Sequence, residues 1–334
     1  MTQDSRALEA LLGRSLALRA QGEWGQLHAL LEESCPEPGH SAELPLLMAE
    51  AELRTGRVQH ARDRLRELVQ PYEQMGDGPR LRRVMNMLGV AELESGDVPA
   101  ADASLQRALE LASGAEDHLV VARATNNLGA LANLRGQRER ALSLYQLAVP
   151  AFQRLGSDLG LAETYHNLAI THRDLGQLDQ ADRCQRRAIE YAREAGNARM
   201  IAMAHVGRAE LSLRRGEAVV AEAGARLGAE QYAVIPDALG EADALRLAGE
   251  ARTALGNLAA AAEALDRAVA LARDHGSALL EAESLEARAR LNLARQDRRQ
   301  AADDARLALA LYQRLEDERA EKVEVWLGAV RGEE

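Results

Sequence analysis

One glycine recurs every 40 residues along most of this 334-residue chain. The series consists of Gly56, Gly96, Gly136, Gly176, Gly216 and Gly256, and Gln296 occupies the seventh position. An alanine follows five residues after each position: Ala61, Ala101, Ala141, Ala181, Ala221, Ala261 and Ala301. A repeat that keeps its register over seven copies predicts a chain built by stacking one structural unit on the next.

Helix geometry gives this repeat a physical meaning. A glycine can end a helix without strain, because it adopts the left-handed backbone conformation freely. Small residues also stand seven positions before each turn: Ala49, Gly89, Gly129, Ala169, Ala209, Gly249 and Ala289. We therefore expect each turn to join two antiparallel helices, A and B, whose backbones approach closely at small side chains.

A second break follows each turn by about 20 residues. It is marked by Gly76, Gly156, Gly196 and Gly276, with Pro236 in the same place. Residue types that cap helix N-termini come next: Asp77, Ser157, Asn197, Asp237 and Ser277. Each repeat is thus predicted to be two helices of about 16 residues. Together the repeats predict an all-α solenoid of antiparallel helix pairs, with about 7–8 repeats.

The repeat at residues 163–196, ETYHNLAITHRDLGQLDQADRCQRRAIEYAREAG, combines these features. Helix A carries Leu88-Gly89 and Leu128-Gly129, and helix B carries a late small residue at Ala108, Ala148, Ala188, Ala268 and Ala308. This pattern resembles the tetratricopeptide repeat (TPR), and the resemblance implies a right-handed α-solenoid. That family usually repeats every 34 residues and ends helix B with proline. The corresponding residues here are Glu73, Ser113, Gln153, Arg193, Ala233, Arg273 and Gln313. Helix B is therefore expected to run on, which accounts for the longer period.

The longer repeat resembles a subclass found in kinesin light chain, in Pins-type polarity adaptors and in bacterial Rap-type regulators. Thr-Asn-Asn-Leu-Gly at 125–129 and His-Asn-Leu-Ala at 166–169 carry this closer resemblance.

We expect three regions along the chain. Residues 1–34 form an atypical N-terminal capping repeat, residues 41–315 form seven TPR-like repeats, and residues 317–334 form a capping helix. Trp24 and Trp326 lie in the two end regions, where structural capping is the expected role. The helix B at 217–236 contains Gly224 and Gly228, which indicate either close interhelical packing or a hinge.

Composition excludes several classes of function. The chain has 41 Lys and Arg against 52 Asp and Glu, a formal charge of −11, so we expect no nucleic-acid binding. Its N-terminus lacks the pattern of a signal peptide, and no stretch has the length and apolar character of a membrane helix. We expect a cytoplasmic protein without a membrane partner, in which Cys35 and Cys184 stay reduced.

By resemblance to the TPR family, helix A should line the concave face of the solenoid. The positions 13, 10, 6 and 3 residues before each turn lie on one side of helix A, and we call this side the A-helix face. In the central repeats it carries Arg83, Asn86, Arg123, Asn126, Asn133, Glu163, His166 and Arg173, with Asn127 and Asn167 beside it. In the later repeats it carries Glu210, Asp243, Arg246, Glu250, Glu283, Glu286 and Arg290.

Asparagine both donates to and accepts from a peptide backbone, and arginine can hold a carboxylate with two hydrogen bonds. We therefore predict that Arg83, Asn86, Arg123, Asn126, Asn127, Asn133, His166, Asn167 and Arg173 bind a partner. The alternative is a polar wall that binds nothing. Because the A-helix face of the central repeats carries three arginines and Glu163 as its only acid, we expect an extended peptide or protein with an acidic segment.

Catalysis has little support in the sequence. Glu163 and His166 have the i, i+3 spacing of a metal-ligand pair, but no matching pair stands on a neighbouring helix, so we expect no metal site. We also expect no cofactor, since the chain carries no phosphate loop and no nucleophile elbow. The sequence predicts a scaffold or adaptor that binds protein. The alternative is a regulator whose superhelix changes pitch when a peptide binds, and the oligomeric state is left open.

Overall fold

The computed structural model describes residues 3–34, 43–235, 237–315, 317 and 319–331. Cys35, the link CPEPG at 35–39 and Pro236 lie outside these residues. The described residues form seventeen α-helices and no strand. The all-α fold expected from the repeat is therefore confirmed.

The chain divides into two compact units, residues 1–156 and residues 157–334, which we call the N-terminal and C-terminal units. In the N-terminal unit the helices are α1 (Gln3–Gln21), α2 (Trp24–Ser34), α3 (Leu44–Arg54), α4 (Val58–Gln74), α5 (Gly78–Glu94), α6 (Val98–Gly114), α7 (His118–Leu134) and α8 (Arg138–Leu155). Each helix packs against the next, and α3 also contacts α5, as α5 contacts α7. This is the packing of stacked TPR-like helix pairs, with α3, α5 and α7 as A helices.

The C-terminal unit repeats the arrangement. Its helices are α9 (Asp158–Asp174), α10 (Leu178–Glu194), α11 (Ala198–Arg214), α12 (Ala218–Tyr232), α13 (Ala238–Ala254), α14 (Leu258–Asp274), α15 (Ala278–Ala294), α16 (Arg298–Arg314) and α17 (Arg319–Arg331). The A helices are α9, α11, α13 and α15, and each contacts the next along the series. Most A and B helices have 17 residues, close to the length expected from the spacing of the breaks.

The turns between A and B helices have the predicted left-handed geometry. The φ angle is +77° at Gly56, +73° at Gly136 and +76° at Gly216. Gln296, the one departure from glycine in the series, adopts the same conformation with φ +65°. The turn therefore keeps its left-handed backbone geometry without glycine. Gln296 is strained there, because its Cβ comes close to the following carbonyl oxygen.

The predicted N-caps also form. The side chains of Asp77, Ser157, Asn197, Asp237 and Ser277 each accept a hydrogen bond from the backbone N–H three residues later. These bonds satisfy donors that the first turn of a helix leaves unpaired. The second break in each repeat is therefore a helix start that the sequence specifies locally.

Small residues lie at the crossings of A and B helices. All seven alanines of the helix B series, from Ala61 to Ala301, are completely buried. At Gly129 a Cβ would lie 2.5 Å from the ring of Tyr145, and at Gly89 a Cβ would lie 2.5 Å from Leu105. These positions are small because the facing helix occupies the space that a side chain would need.

The ends of the chain carry their own apolar clusters. Trp24 packs with Leu27 and Leu31, and the guanidinium of Arg54 lies 5.7 Å from the centre of its ring. On α17, Val323, Leu327 and Val330 are buried, with Trp326 packed against the same cluster. The capping roles expected for residues 1–34 and 317–334 stay predictions.

Within the part of the chain that the structure describes, the helices lack the combination of length and apolar character needed to cross a lipid bilayer.

Candidate functional site

In the N-terminal unit the A-helix face is more strongly paired than the sequence predicts. Arg83 NH1 donates to Glu43 Oε1 at 2.7 Å, and Arg80 Nε donates to the other oxygen of the same carboxylate at 2.9 Å. Burial raises the pKa of Glu43, but the two guanidinium groups outweigh it and hold that pKa below its ordinary value. Glu43 therefore stays charged at neutral pH and compensates part of the positive charge expected at Arg83.

The asparagines of this unit form a hydrogen-bonded pair across neighbouring A helices. Asn127 Nδ2, on α7, donates to Asn86 Oδ1, on α5, at 3.1 Å. Asn86 and Asn126 are only 8% and 5% exposed. Asn127 and Asn133 are half-buried, and Arg123 is exposed. The predicted residues are thus brought to one side of α5 and α7, but Asn86 and Asn126 offer a partner little surface, and Asn86 accepts from Asn127.

In the C-terminal unit the A-helix face encloses a cavity of about 180 Å³. Residues of this face from three successive A helices line it: His166, Ile170 and Arg173 on α9, Met203, Val206 and Glu210 on α11, and Asp243 on α13. Its remaining lining is Ala169, Gln185, Gly207, Leu211, Tyr232 and Gly240. The spacing of 13, 10, 6 and 3 residues before the turn therefore does mark one continuous side of these helices.

The helix α11 contributes apolar surface where its neighbours are polar. Where α7 has Asn126-Asn127 and α9 has His166-Asn167, α11 has Val206-Gly207. Gln185 of α10 fills the space beside Gly207, because a Cβ there would collide with its Nε2. Gly207 thus admits Gln185 into the lining, and Val206 presents an aliphatic side chain in place of an amide or imidazole.

His166 is held in its neutral form at one side of the cavity. Its Nδ1 lies 3.2 Å from Gln185 Oε1. Burial lowers the pKa of His166 below its ordinary value, and the nearby charge of Arg173 acts in the same direction. A neutral imidazole whose Nδ1 donates to the amide oxygen keeps Nε2 as a hydrogen-bond acceptor.

Two charged networks border the cavity. Arg173 NH1 donates to Glu210 Oε2 at 2.5 Å, and Arg214 NH2 donates to Glu210 Oε1 at 3.1 Å. On α13, Arg246 donates twice to Asp243 Oδ1, from Nε at 3.1 Å and from NH2 at 2.5 Å. Arg173 is thus compensated by Glu210, and the charge at this border is balanced rather than positive.

A buried guanidinium surrounded by carboxylates extends this border along α13 and α15. Arg246 also donates to Glu250 Oε1 at 2.6 Å, and its Nε lies 3.7 Å from Glu283 Oε2. Burial raises the pKa of Glu250, although the attraction of Arg246 opposes the rise. Asp243, Glu250 and Glu283 thus surround Arg246, and Glu283 also accepts from Arg319 NH1 at 2.5 Å.

Of the lining residues, the sequence predicts His166 and Arg173 as binding residues but not Met203 and Val206, which are apolar and occupy the same face of α11. The change from Asn126 and His166 to Val206 at equivalent positions is the signal that could have located the apolar lining. Asn167 is half-buried on α9 and is not among the lining residues.

Other chemistry-bearing groups lie apart from this cavity. Cys184 is half-buried on α10, and burial raises the pKa of its thiol, which makes the thiolate scarce at neutral pH. Among the described residues, no three His, Cys, Asp or Glu side chains come together in a group that could hold a metal ion.

Comparison with known proteins places these helices in a familiar fold. The model of the tetratricopeptide repeat family matches residues 120–194. No curated protein matches the sequence significantly.

Three solved structures resemble the chain. The APC/C hetero-tetramer Cut9–Hcn1 matches with a TM-score of 0.68 at 13% identity, over 95% of this chain and 55% of that one. A STAND signal-transduction ATPase with a tetratricopeptide repeat sensor, from Pyrococcus horikoshii, matches with a TM-score of 0.65 at 15% identity. The match covers 98% of this chain and 50% of that one. A Rap protein complexed with competence and sporulation factor matches with a TM-score of 0.62 at 17% identity, over 98% of both chains. These likenesses show the fold, and this chain spans about half the length of the first two.

Proposed function

Because the chain is a tetratricopeptide-repeat protein, we propose that it is a non-catalytic scaffold or adaptor that binds an extended peptide or protein segment on its A-helix face. The observation that carries this proposal is the cavity bordered by α9, α11 and α13. Solenoids of stacked repeats commonly bind their partners on the surface that successive repeats build together. The solved relatives include one bound to a peptide factor and one assembled with a protein partner, which supports the same class of ligand.

The size of the cavity favours an anchor for a bound chain over a site for a free cofactor. Pockets for small molecules usually measure about 300–1,000 Å³, whereas this one measures about 180 Å³. At about 30 Å³ for each water-sized group, it has room for about six heavy atoms, the scale of one long side chain. The rest of an extended ligand would lie along the polar residues beside it.

The proposed contact surface keeps the predicted residues and adds the apolar ones. In the N-terminal unit it comprises Arg83, Asn86, Arg123, Asn126, Asn127 and Asn133. In the C-terminal unit it comprises His166, Asn167 and Arg173, together with Met203 and Val206. Asn86 is nearly buried and accepts from Asn127, so its contribution is to fix the orientation of that half-buried amide.

Affinity capture from the native cytoplasm tests the proposal. The variant pairs Arg123→Glu with Asn133→Ala, because Arg123 is exposed and Asn133 is only half-buried. At low salt, the double variant should recover less partner than the wild type does. The part of this difference that comes from Arg123 should shrink as the salt concentration rises, because salt screens the charge. Helicity and melting temperature should stay close to those of the wild type.

A matched control carries the same chemical changes on a B helix. Gln106→Ala with Arg107→Glu places them on α6, where both side chains are exposed. This control should recover the partner as well as the wild type does. Unchanged recovery with the A-helix variant, or equal loss with both variants, would move the binding surface away from the A-helix face of the N-terminal unit.

A further inference from the structure

We propose that the cavity on α9, α11 and α13 receives a long basic side chain, arginine or lysine, of the bound peptide. This inference rests on the proposed function and names the residue class that anchors the ligand in the C-terminal unit. Such a side chain has an apolar stem and a cationic end, and the cavity offers matching surfaces to both.

The stem is matched by the walls of the cavity. Ile170, Met203 and Val206 present aliphatic and thioether surface from two neighbouring A helices. Gly207 lets Gln185 of α10 approach closely, and Gln185 forms part of the lining beside these side chains. A cavity with room for about six heavy atoms suits a lysine or arginine side chain better than a short aliphatic one, which would leave part of it empty.

The cationic end is matched by acceptors that the protein leaves unused. The two hydrogen bonds that Asp243 accepts from Arg246 both go to its Oδ1. The other oxygen, Oδ2, therefore accepts none from the described residues. The side chain of Asp243 is 38% exposed, so a ligand can reach it. His166 Nε2 is a second acceptor, whereas both oxygens of Glu210 already accept from arginines.

The surrounding charge can accept a cation. The ionised groups that line the cavity are Arg173, Glu210 and Asp243, which sum to −1. Arg246 offsets Asp243, but its guanidinium is shared with Glu250 and with Glu283, which also accepts from Arg319. The free oxygen of Asp243, rather than a large net charge, is therefore what favours a cationic group. The whole chain carries −11, which attracts basic ligands at long range. An acidic anchor would meet repulsion at this site, although it could still suit Arg123 in the N-terminal unit.

A position-scanning library of N-acetylated, C-amidated heptapeptides tests the assignment. Each sublibrary fixes one residue type at one position and randomises the others, and binding is measured by fluorescence polarisation with the full chain. With the wild type, sublibraries that fix arginine or lysine at one position should bind about tenfold more tightly than those fixing leucine or glutamate there. Asp243→Asn should remove most of that preference.

Two further variants keep the result interpretable. Asp303→Asn neutralises an exposed carboxylate on α16 and should leave the preference intact. Met203→Trp fills the cavity and should weaken binding of the sublibraries that fix arginine or lysine. This variant tests the cavity even if Asp243→Asn proves unstable. The melting temperature is measured for both variants.

The outcomes separate this inference from the proposed function. Binding that prefers leucine or glutamate, or a basic preference that survives Asp243→Asn and Met203→Trp, overturns the basic anchor and leaves peptide binding in place. Binding of no sublibrary at any position overturns the basic anchor and counts against peptide binding as well.

Discussion

At the residue scale, small side chains decide how closely the helices pack. The sequence predicts this well, because a fixed alanine or glycine at each crossing is a local and repeated signal. It predicts the polar groups less well: Arg83 and Arg173 were expected to give a positive surface, but Glu43 and Glu210 pair with them. Those carboxylates lie 40 and 37 residues away in the chain, so their contacts depend on how the repeats stack.

Replacing a crossing alanine should therefore destabilise the protein. Ala141 is completely buried on α8, which packs against α7. Ala141→Leu adds three heavy atoms to this contact and should lower the free energy of unfolding by about 1–3 kcal/mol. Ala103→Leu, at an exposed position of α6, is the matched control and should change it by about 0.5 kcal/mol or less. Equal melting temperatures for the two variants would contradict the packing described for the repeat.

At the element scale, charged side chains tie neighbouring helices together. Asp182 of α10 accepts from Arg208 Nε of α11 at 2.9 Å and from Arg186 NH2 at 2.6 Å. Burial raises the pKa of Asp182, but the hydrogen bonds from the two arginines prevail and lower it below its ordinary value. The folded state therefore favours the ionised form of this carboxyl more than the unfolded state does.

This pairing predicts a pH dependence with a definite sign. A lowered pKa stabilises the folded state above the unfolded pKa, which is about 3.9, and the stabilisation disappears as pH falls toward the folded value. Asp182→Asn should lower the melting temperature at pH 7, and its difference from the wild type should shrink at about pH 3. Asp63→Asn, at a side chain that is 65% exposed, should differ little from the wild type at either pH. A difference for Asp182→Asn that does not depend on pH would refute the assignment.

The helix α12 is the element whose behaviour the sequence leaves open. Gly224 and Gly228 each weaken a helix by about 1 kcal/mol relative to alanine. Close packing accounts for Gly228, because a Cβ there would lie 2.6 Å from Val206 Cγ2. The hinge remains a hypothesis, with the lower helix propensity as its basis.

Hydrogen exchange can test the stability of α12. Its backbone amides should exchange faster than those of α14, a neighbouring B helix without glycine. Amides of residues 217–235 among the slowest in the chain would remove the hinge hypothesis and leave packing as the role of both glycines.

At the scale of the whole molecule, the all-α repeat fold was predictable but the division at residue 156 was not. Gly156 and Ser157 carry the same left-handed turn and N-cap signals as Gly196 and Asn197. Local sequence therefore marks a helix boundary at both places and does not distinguish them. The division depends on contacts between repeats, which a single repeat does not encode.

Two compact units built from neighbour contacts should not unfold in one step. Trp24 lies in the N-terminal unit and Trp326 in the C-terminal unit, so Trp326→Phe and Trp24→Phe leave one fluorescent reporter in each. Urea titrations of the two variants should give different midpoints. Coincident midpoints that also agree with circular dichroism would indicate a single cooperative transition.

The central claim is that the protein binds a peptide or protein on its A-helix face, and site-specific photo-crosslinking tests it most directly. A p-benzoylphenylalanine replaces Met203, at the cavity, or Glu190, an exposed residue of the B helix α10. After irradiation in a native cell extract, we predict a discrete adduct from position 203 that position 190 does not give. Adducts from position 190 alone, or from neither position, would contradict the claim.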